Sequence, residues 1–218
     1  IQNNFVNATD NVSVTATFSE AVNVNTTNGT PTLTIVVGSD NRTATYASGH
    51  GSTQLVFQYT IQATGTSGEN DNNGISIPAN AIALNSGTIK DVAGNDGILT
   101  HSVVDNNSSY KVDTTLPTVQ NLGIASASGI QNSFVNAGDN VSVRGTFSES
   151  VIVDNSSGNP TLTIVVGSDN RTATFASGSG TTQLVFQYTI QATGTSGEND
   201  SDGISIPANA IALNSGTI

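Results

Sequence analysis

Apolar and polar residues alternate along much of this chain. In Val12–Phe18, Val12, Val14, Ala16 and Phe18 share one face, while Ser13, Thr15 and Thr17 share the other. A period of two marks a half-buried strand, because successive side chains leave a pleated backbone on opposite sides. Leu33, Ile35 and Val37 form a second inward row, followed by the turn cluster Gly38-Ser39-Asp40-Asn41. Arg42–Tyr46 then returns as the second arm of a hairpin. Leu55, Phe57, Tyr59 and Ile61 make the longest inward row, with Gln54, Gln58 and Thr60 outside. Shorter strands are predicted at Gly74–Ile77, Ala81–Leu84, Ile98–Val103 and Leu116–Ala125, and no stretch sustains a helical period.

The pattern occurs twice. Residues 1–89 return 129 positions later as residues 130–218, and 73 of the 89 aligned residues are identical. Solenoid units run to roughly 20–50 residues, so this period belongs to a whole domain. About seven to nine short strands per repeat predict an all-β chain of tandem immunoglobulin-like β-sandwich domains. The boundary is expected at Val112-Asp113-Thr114-Thr115-Leu116-Pro117, giving domains at 1–112 and 113–218. On this reading the first domain lacks its opening strand, the equivalent of Leu116–Ala125. The second lacks its closing strands, the equivalents of Lys90–Val112. Both are truncated by the fragment ends, which should leave unpaired sheet edges.

Charge narrows the partners. Five basic residues face sixteen acidic ones, for a net charge of −11. Nucleic acid and anionic membrane surfaces both require basic patches, so neither is an expected partner. Divalent cations are the natural counterions. With no cysteine there is no disulfide scaffold and no thiol chemistry. No apolar run reaches the roughly 20 residues that span a bilayer, so direct membrane insertion is not expected.

The strongest local motif is Glu69-Asn70-Asp71-Asn72-Asn73-Gly74 and its copy, Glu198-Asn199-Asp200-Ser201-Asp202-Gly203. Oxygen-bearing side chains at alternate positions before a glycine match the opening of a calcium loop. The candidate ligands are Glu69, Asp71 and Asn73, and Glu198, Asp200 and Asp202. The twelfth position, Glu in an EF-hand, is Asn80 or Asn209 here, which excludes a helix-loop-helix site. Two readings stand: a calcium loop feeding a strand, or an acidic solvated turn. Asp202 in place of Asn73 should make the second copy the tighter binder. A second acidic group, Asp91-Val92-Ala93-Gly94-Asn95-Asp96, lies close in sequence to Asp105 and Asp113. Calcium there would stiffen a domain junction; ordinary turn chemistry accounts for the same residues. Glu20 and Glu149 are either further ligands or simply exposed.

Catalysis is not expected. The two histidines are His50 and His101, and the position aligned with His50 is Ser179. The second copy therefore has no histidine for a Ser-His-Asp arrangement. Seven of the sixteen differences between copies fall in Ala21–Thr30, as expected for an exposed loop.

Phe18-Ser19-Glu20-Ala21-Val22, Gly74-Ile75-Ser76-Ile77, Asp91-Val92-Ala93-Gly94-Asn95 and Val112-Asp113-Thr114-Thr115-Leu116-Pro117 occur in this order within one repeat. Together they resemble repeat modules of giant bacterial surface adhesins of the biofilm-associated and RTX types. The resemblance implies an immunoglobulin- or cadherin-like sandwich, export to the cell surface, and calcium at loops or junctions. That calcium role falls on the two acidic turns and on Asp91, Asp96 and Asp113. It also implies a stalk of neighbouring repeats that projects a separate ligand-binding domain and serves adhesion or biofilm formation. The alternative is a repeat that itself binds a glycan or a neighbouring cell, with Tyr46, Phe175 and Tyr110 as the aromatic candidates.

Overall fold

The computed structural model describes residues 4–63, 69–192 and 198–218. The chain divides into two compact units, Ile1–Leu116 and Pro117–Ile218. Every regular element among the described residues is a β-strand.

In the first unit the strands are β1 (Phe5–Val6), β2 (Asn11–Asn25), β3 (Thr32–Val37), β4 (Asp40–Ser48) and β5 (Ser52–Thr60). They are followed by β6 (Asn70–Asp71), β7 (Ile82–Ala83), β8 (Thr88–Asp91) and β9 (Lys111–Asp113). One sheet has the order β7-β3-β4-β5-β2-β8, and a smaller one the order β1-β9-β6. β3, β4 and β5 are joined as consecutive antiparallel neighbours, and β2 pairs beside β5. That order is a Greek-key arrangement. The alternating rows point into the core as the sequence predicts: Leu33, Ile35, Leu55, Phe57 and Ile61 are all at most 3 % exposed. Val6 and Val112 from the small sheet join the same cluster, so the core lies between two β layers.

The second unit repeats the large sheet. Its strands are β10 (Val119–Ala127), β11 (Asn140–Val151), β12 (Thr161–Val166), β13 (Asp169–Ser177), β14 (Thr181–Thr189) and β15 (Ile211–Ala212), in the order β10-β11-β14-β13-β12-β15. Register repeats residue for residue: Leu33 pairs with Ala44, and Leu162 with Ala173.

Several short elements depart from the sequence pattern. Ile98–Val103 forms no strand; Ile98 and Val103 are exposed, and only Leu99 packs on the core. Gly74–Ile77 contributes single bridges, Ser76 to Val36 and Ile77 to Val104. β8 and β9 are not foreshadowed by alternation. Because β9 pairs with β1 and β6, Asp113 and Thr114 belong to the first unit, past the expected boundary at residue 112.

The copies also differ along one sheet edge. β10 covers β11 from Val141 to Phe147, and Val143 and Phe147 are buried there. Among the described residues, β8 pairs with that edge of β2 only at Val22–Asn25, and along the matching stretch Val12–Phe18, where no strand lies, Val14 and Phe18 stay half-buried.

One pair of glycines separates conformational cost from crowding. Gly74 and Gly203 have φ near +98° and +99°. A Cβ on Gly74 would sit 2.0 Å from the Asn107 carbonyl oxygen, whereas one on Gly203 would meet nothing within 4 Å. Gly203→Ala should therefore cost about 1–3 kcal/mol for the left-handed backbone alone. Gly74→Ala should cost roughly 1–3 kcal/mol more, because backbone must move. Denaturant melts of the two variants should show that ordering; equal losses would refute it.

Candidate functional site

Arg42 occupies an inward position of β4, beside buried Ala44 and half-buried Tyr46. An arginine facing a core needs an anion there, since an unpaired buried charge is costly. Glu69 supplies it. Arg42 Nε lies 2.5 Å from Glu69 Oε1, and the glutamate side chain is wholly covered. The approach is a close ion pair; it is not an aligned hydrogen bond. Tyr59 Oη donates to the same oxygen at 2.6 Å, and the Gln62 N–H donates to Oε2 at 2.8 Å. Arg42 also reaches exposed Asp40 at 3.2 Å. The second unit rebuilds this bracket from Arg171, Glu198, Tyr188 and the Gln191 N–H.

The bracket anchors the start of the acidic turn, and Asp71 shapes the rest. Asp71 Oδ1 accepts the N–H groups of Asn73 (2.9 Å) and Gly74 (2.8 Å), and Oδ2 accepts that of Gly38 (2.8 Å). In the copy, Asp200 Oδ1 accepts from Asp202 (3.0 Å) and Gly203 (2.8 Å). The Gly167 N–H, with those of Gly203 and Asp202, holds the Asp200 carboxyl below the usual carboxylate range. In the first unit β9 closes the turn from the other side. The Thr114 hydroxyl accepts from the Glu69 N–H (3.1 Å) and donates to its carbonyl (2.8 Å), while the Thr114 N–H donates to Asn70 Oδ1 (3.0 Å).

The predicted ligands therefore divide. Glu69 and Glu198 face inward onto Arg42 and Arg171. Asp71 and Asp200 each hold one oxygen with spare capacity, and Asn73 and Asp202 are exposed beside them. Asp113 opposes Asn70 across the β6–β9 pair and caps the Thr115 N–H at 3.0 Å. Asp91 and Asp96 act separately. Asp91 accepts the backbone and side-chain N–H groups of Asn95, both at 2.7 Å, while Asp96 pairs with Lys90 at 2.5 Å. Bonding to Asn95 lowers the pKa of Asp91. Among the described residues, no three His, Cys, Asp or Glu side chains gather as a metal-binding group.

Both histidines have backbone partners. His50 Nδ1 accepts the Val24 N–H at 3.1 Å, and Ser179 Oγ accepts the aligned Val153 N–H at 2.9 Å. The exchange of His for Ser between copies thus preserves one hydrogen bond. His101 Nε2 accepts the Ala81 N–H at 2.8 Å. Tyr46 and Phe175 lie edge-on against Phe57 and Phe186, with centroids 6.1 Å apart.

The inward arginine was the available sign of this bracket. Its distance in sequence from Glu69 hid the partner.

Two measurements test the bracket. Arg42→Met leaves Glu69 buried without its cation and should destabilise the first unit by about 3–5 kcal/mol, with Arg42→Met/Glu69→Gln recovering part of the loss. Additive losses in a denaturation cycle would show that the pair is not coupled. The second test is alkaline. Burial, then the hydrogen bond to Glu69 or Glu198, pushes Tyr59 and Tyr188 up to about 12. An unfolded tyrosine titrates near 10, so this stability is fully present below about pH 10 and is lost as pH rises toward 12. Tyrosinate absorbance should show two late-titrating groups, one of them removed by Tyr59→Phe and the other by Tyr188→Phe.

Comparison with family models, with curated proteins and with solved structures found no match.

Proposed function

We propose that these units are structural extender repeats of a secreted bacterial cell-surface adhesin. Each is an immunoglobulin-like sandwich whose role is to add length and stiffness for adhesion or biofilm formation. The observation that carries this reading is the repetition of a whole internal architecture. Both units keep five strands in matching order, β7-β3-β4-β5-β2 and β15-β12-β13-β14-β11, and the same Arg–Glu–Tyr bracket, while seven of sixteen differences fall in residues 21–30, the end of β2 and the loop that follows it. Conserving a scaffold twice while its loops drift suits a spacer, whose output is distance, and neighbouring repeats are then its first partners. The resemblance to surface-adhesin modules supplies the extracellular setting.

Calcium enters the proposal in a narrowed form. Asp200 and Asp202 are its best-placed carboxylates, with Asp71 and Asn73 as the weaker counterpart, and Glu69 and Glu198 are left to the bracket. A cation that binds the folded turn and not the unfolded chain stabilises by mass action.

Scattering from chains of one, two and four complete repeats tests the role. The maximum dimension should grow in equal steps of a few tens of ångströms, given about 33 Å for a ten-residue strand. A dimension that stops growing would refute the extender reading. In the same chains, calcium should raise the melting temperature, chelator should reverse it, and Asp202→Asn should weaken the effect. An unchanged melting temperature would remove calcium from the proposal and leave the spacer role standing.

A further inference from the structure

Asparagine is followed by glycine at two places in this chain, Asn28-Gly29 and Asn73-Gly74, and both lie in the first unit. The second copy has Ser157-Gly158 and Asp202-Gly203 at the same positions. Such a pair reacts with itself when the glycine nitrogen gives up its proton and attacks the asparagine Cγ, an approach that no glycine Cβ obstructs. Both asparagines are exposed, yet their glycines are held differently. Gly74 is buried, and its N–H donates to the Asp71 carboxylate at 2.8 Å, with the Asn107 carbonyl packed close on its other side. Removing that proton would set two negative charges face to face, and a hydrogen bond to an ionised acceptor is itself a strong one. Gly29 is half-buried, and its N–H makes only a 3.3 Å turn bond to the neutral Thr26 carbonyl.

We propose that Asn28 is a site of spontaneous modification to aspartate and isoaspartate, and that the Asp71 carboxylate withholds Asn73 from the same reaction. The deprotonated Gly29 nitrogen bonds to Asn28 Cγ, the Cγ–Nδ2 bond breaks, and ammonia leaves behind a five-membered succinimide. Water then opens the ring. Breaking the bond from the nitrogen to Cγ gives aspartate. Breaking the bond from the nitrogen to the main-chain carbonyl carbon gives isoaspartate, whose backbone runs through Cγ and is one carbon longer. Either product exchanges a neutral amide for a carboxylate, with water consumed, ammonia released and no oxidant or reductant needed. The extra backbone carbon falls beside a tight contact. A Cβ on Gly29 would lie 1.7 Å from the Asn85 carbonyl oxygen, and one on Gly87 would lie 2.3 Å from the Gly29 carbonyl oxygen. Asn85 Nδ2 also donates to the Thr30 carbonyl at 3.1 Å and to Thr32 Oγ1 at 2.8 Å. Isoaspartate at position 28 therefore prises the β2–β3 loop away from Asn85-Ser86-Gly87. The second unit builds the same contact from Gly158, Asn214 and Gly216 without an Asn-Gly pair, so it serves as an internal control. The inference rests on neither the extender role nor calcium.

The test holds the whole chain in mildly alkaline buffer and samples it by peptide mapping, with fragmentation that separates aspartate from isoaspartate. Asn28 should convert progressively, with isoaspartate among its products. Asn73 should convert at least about tenfold more slowly, the worth of a hydrogen bond to a charged acceptor. In urea, where both glycine N–H groups are released, the two rates should converge. Asp71→Asn should speed conversion of Asn73 in the folded chain; if that variant does not fold, the urea comparison decides alone. Ageing should lower the denaturation midpoint of the first unit and leave the second unit unchanged, and Asn28→Ser should abolish the loss. Equal rates at Asn28 and Asn73 in the folded chain would overturn the proposal, as would a ratio that urea leaves unchanged or an Asn28 that converts only in urea. A midpoint that stays put after conversion would overturn the role given to the Asn85 contact.

Discussion

A carboxylate removed from water must be neutralised where it lies, and most of each unit is arranged around that requirement. Glu69 is covered completely, so its charge has to be met by Arg42, its remaining lone pairs by Tyr59 and the Gln62 N–H. These partners come from β4, from β5 and from the chain just after β5. The bracket therefore ties the acidic turn to the middle of the large sheet. The turn in turn places Asn70 and Asp71 where β9 can pair. The ion pair thus acts with the Gly38–Asp71 hydrogen bond and the Val36–Ser76 bridge in tying the acidic turn and the segment after it to the large sheet.

Much of the large sheet is legible from alternation. The rows Leu33-Ile35-Val37 and Leu55-Phe57-Tyr59-Ile61 are half-buried strands whose inner positions must be apolar, and their outer residues show it. Arg42 breaks that rule on an inner position, and the break marked the place where chemistry, and not packing, sets the residue. The short strands β8 and β9 were not legible. Thr88–Asp91 and Lys111–Asp113 are too brief for a period to show, and their partners lie far away in sequence. Ile98–Val103 misled for the opposite reason, since its β-branched residues stay in solvent.

The acidic turn shows how a motif can carry two jobs. Glu69 and Asp71 match the opening of a cation loop, but the oxygens of the first are directed at Arg42, Tyr59 and the Gln62 N–H. The pattern of oxygens every second residue is the pattern of a strand as much as of a ligand set. Alternation sends Glu69 and Asp71 inward together and leaves Asn70, Asn72 and Asn73 facing solvent.

The parallel pairing of β1 and β9 has a mechanical meaning. Phe5–Val6 lies near the start of the first unit and Lys111–Val112 near its end, and the two strands run in the same direction. Tension applied to the chain on either side would pull them past each other along their length. Their bonds would be loaded together in shear and would not open one after another like a zipper. Val112 and Val6 lie buried beneath that pair as its seal.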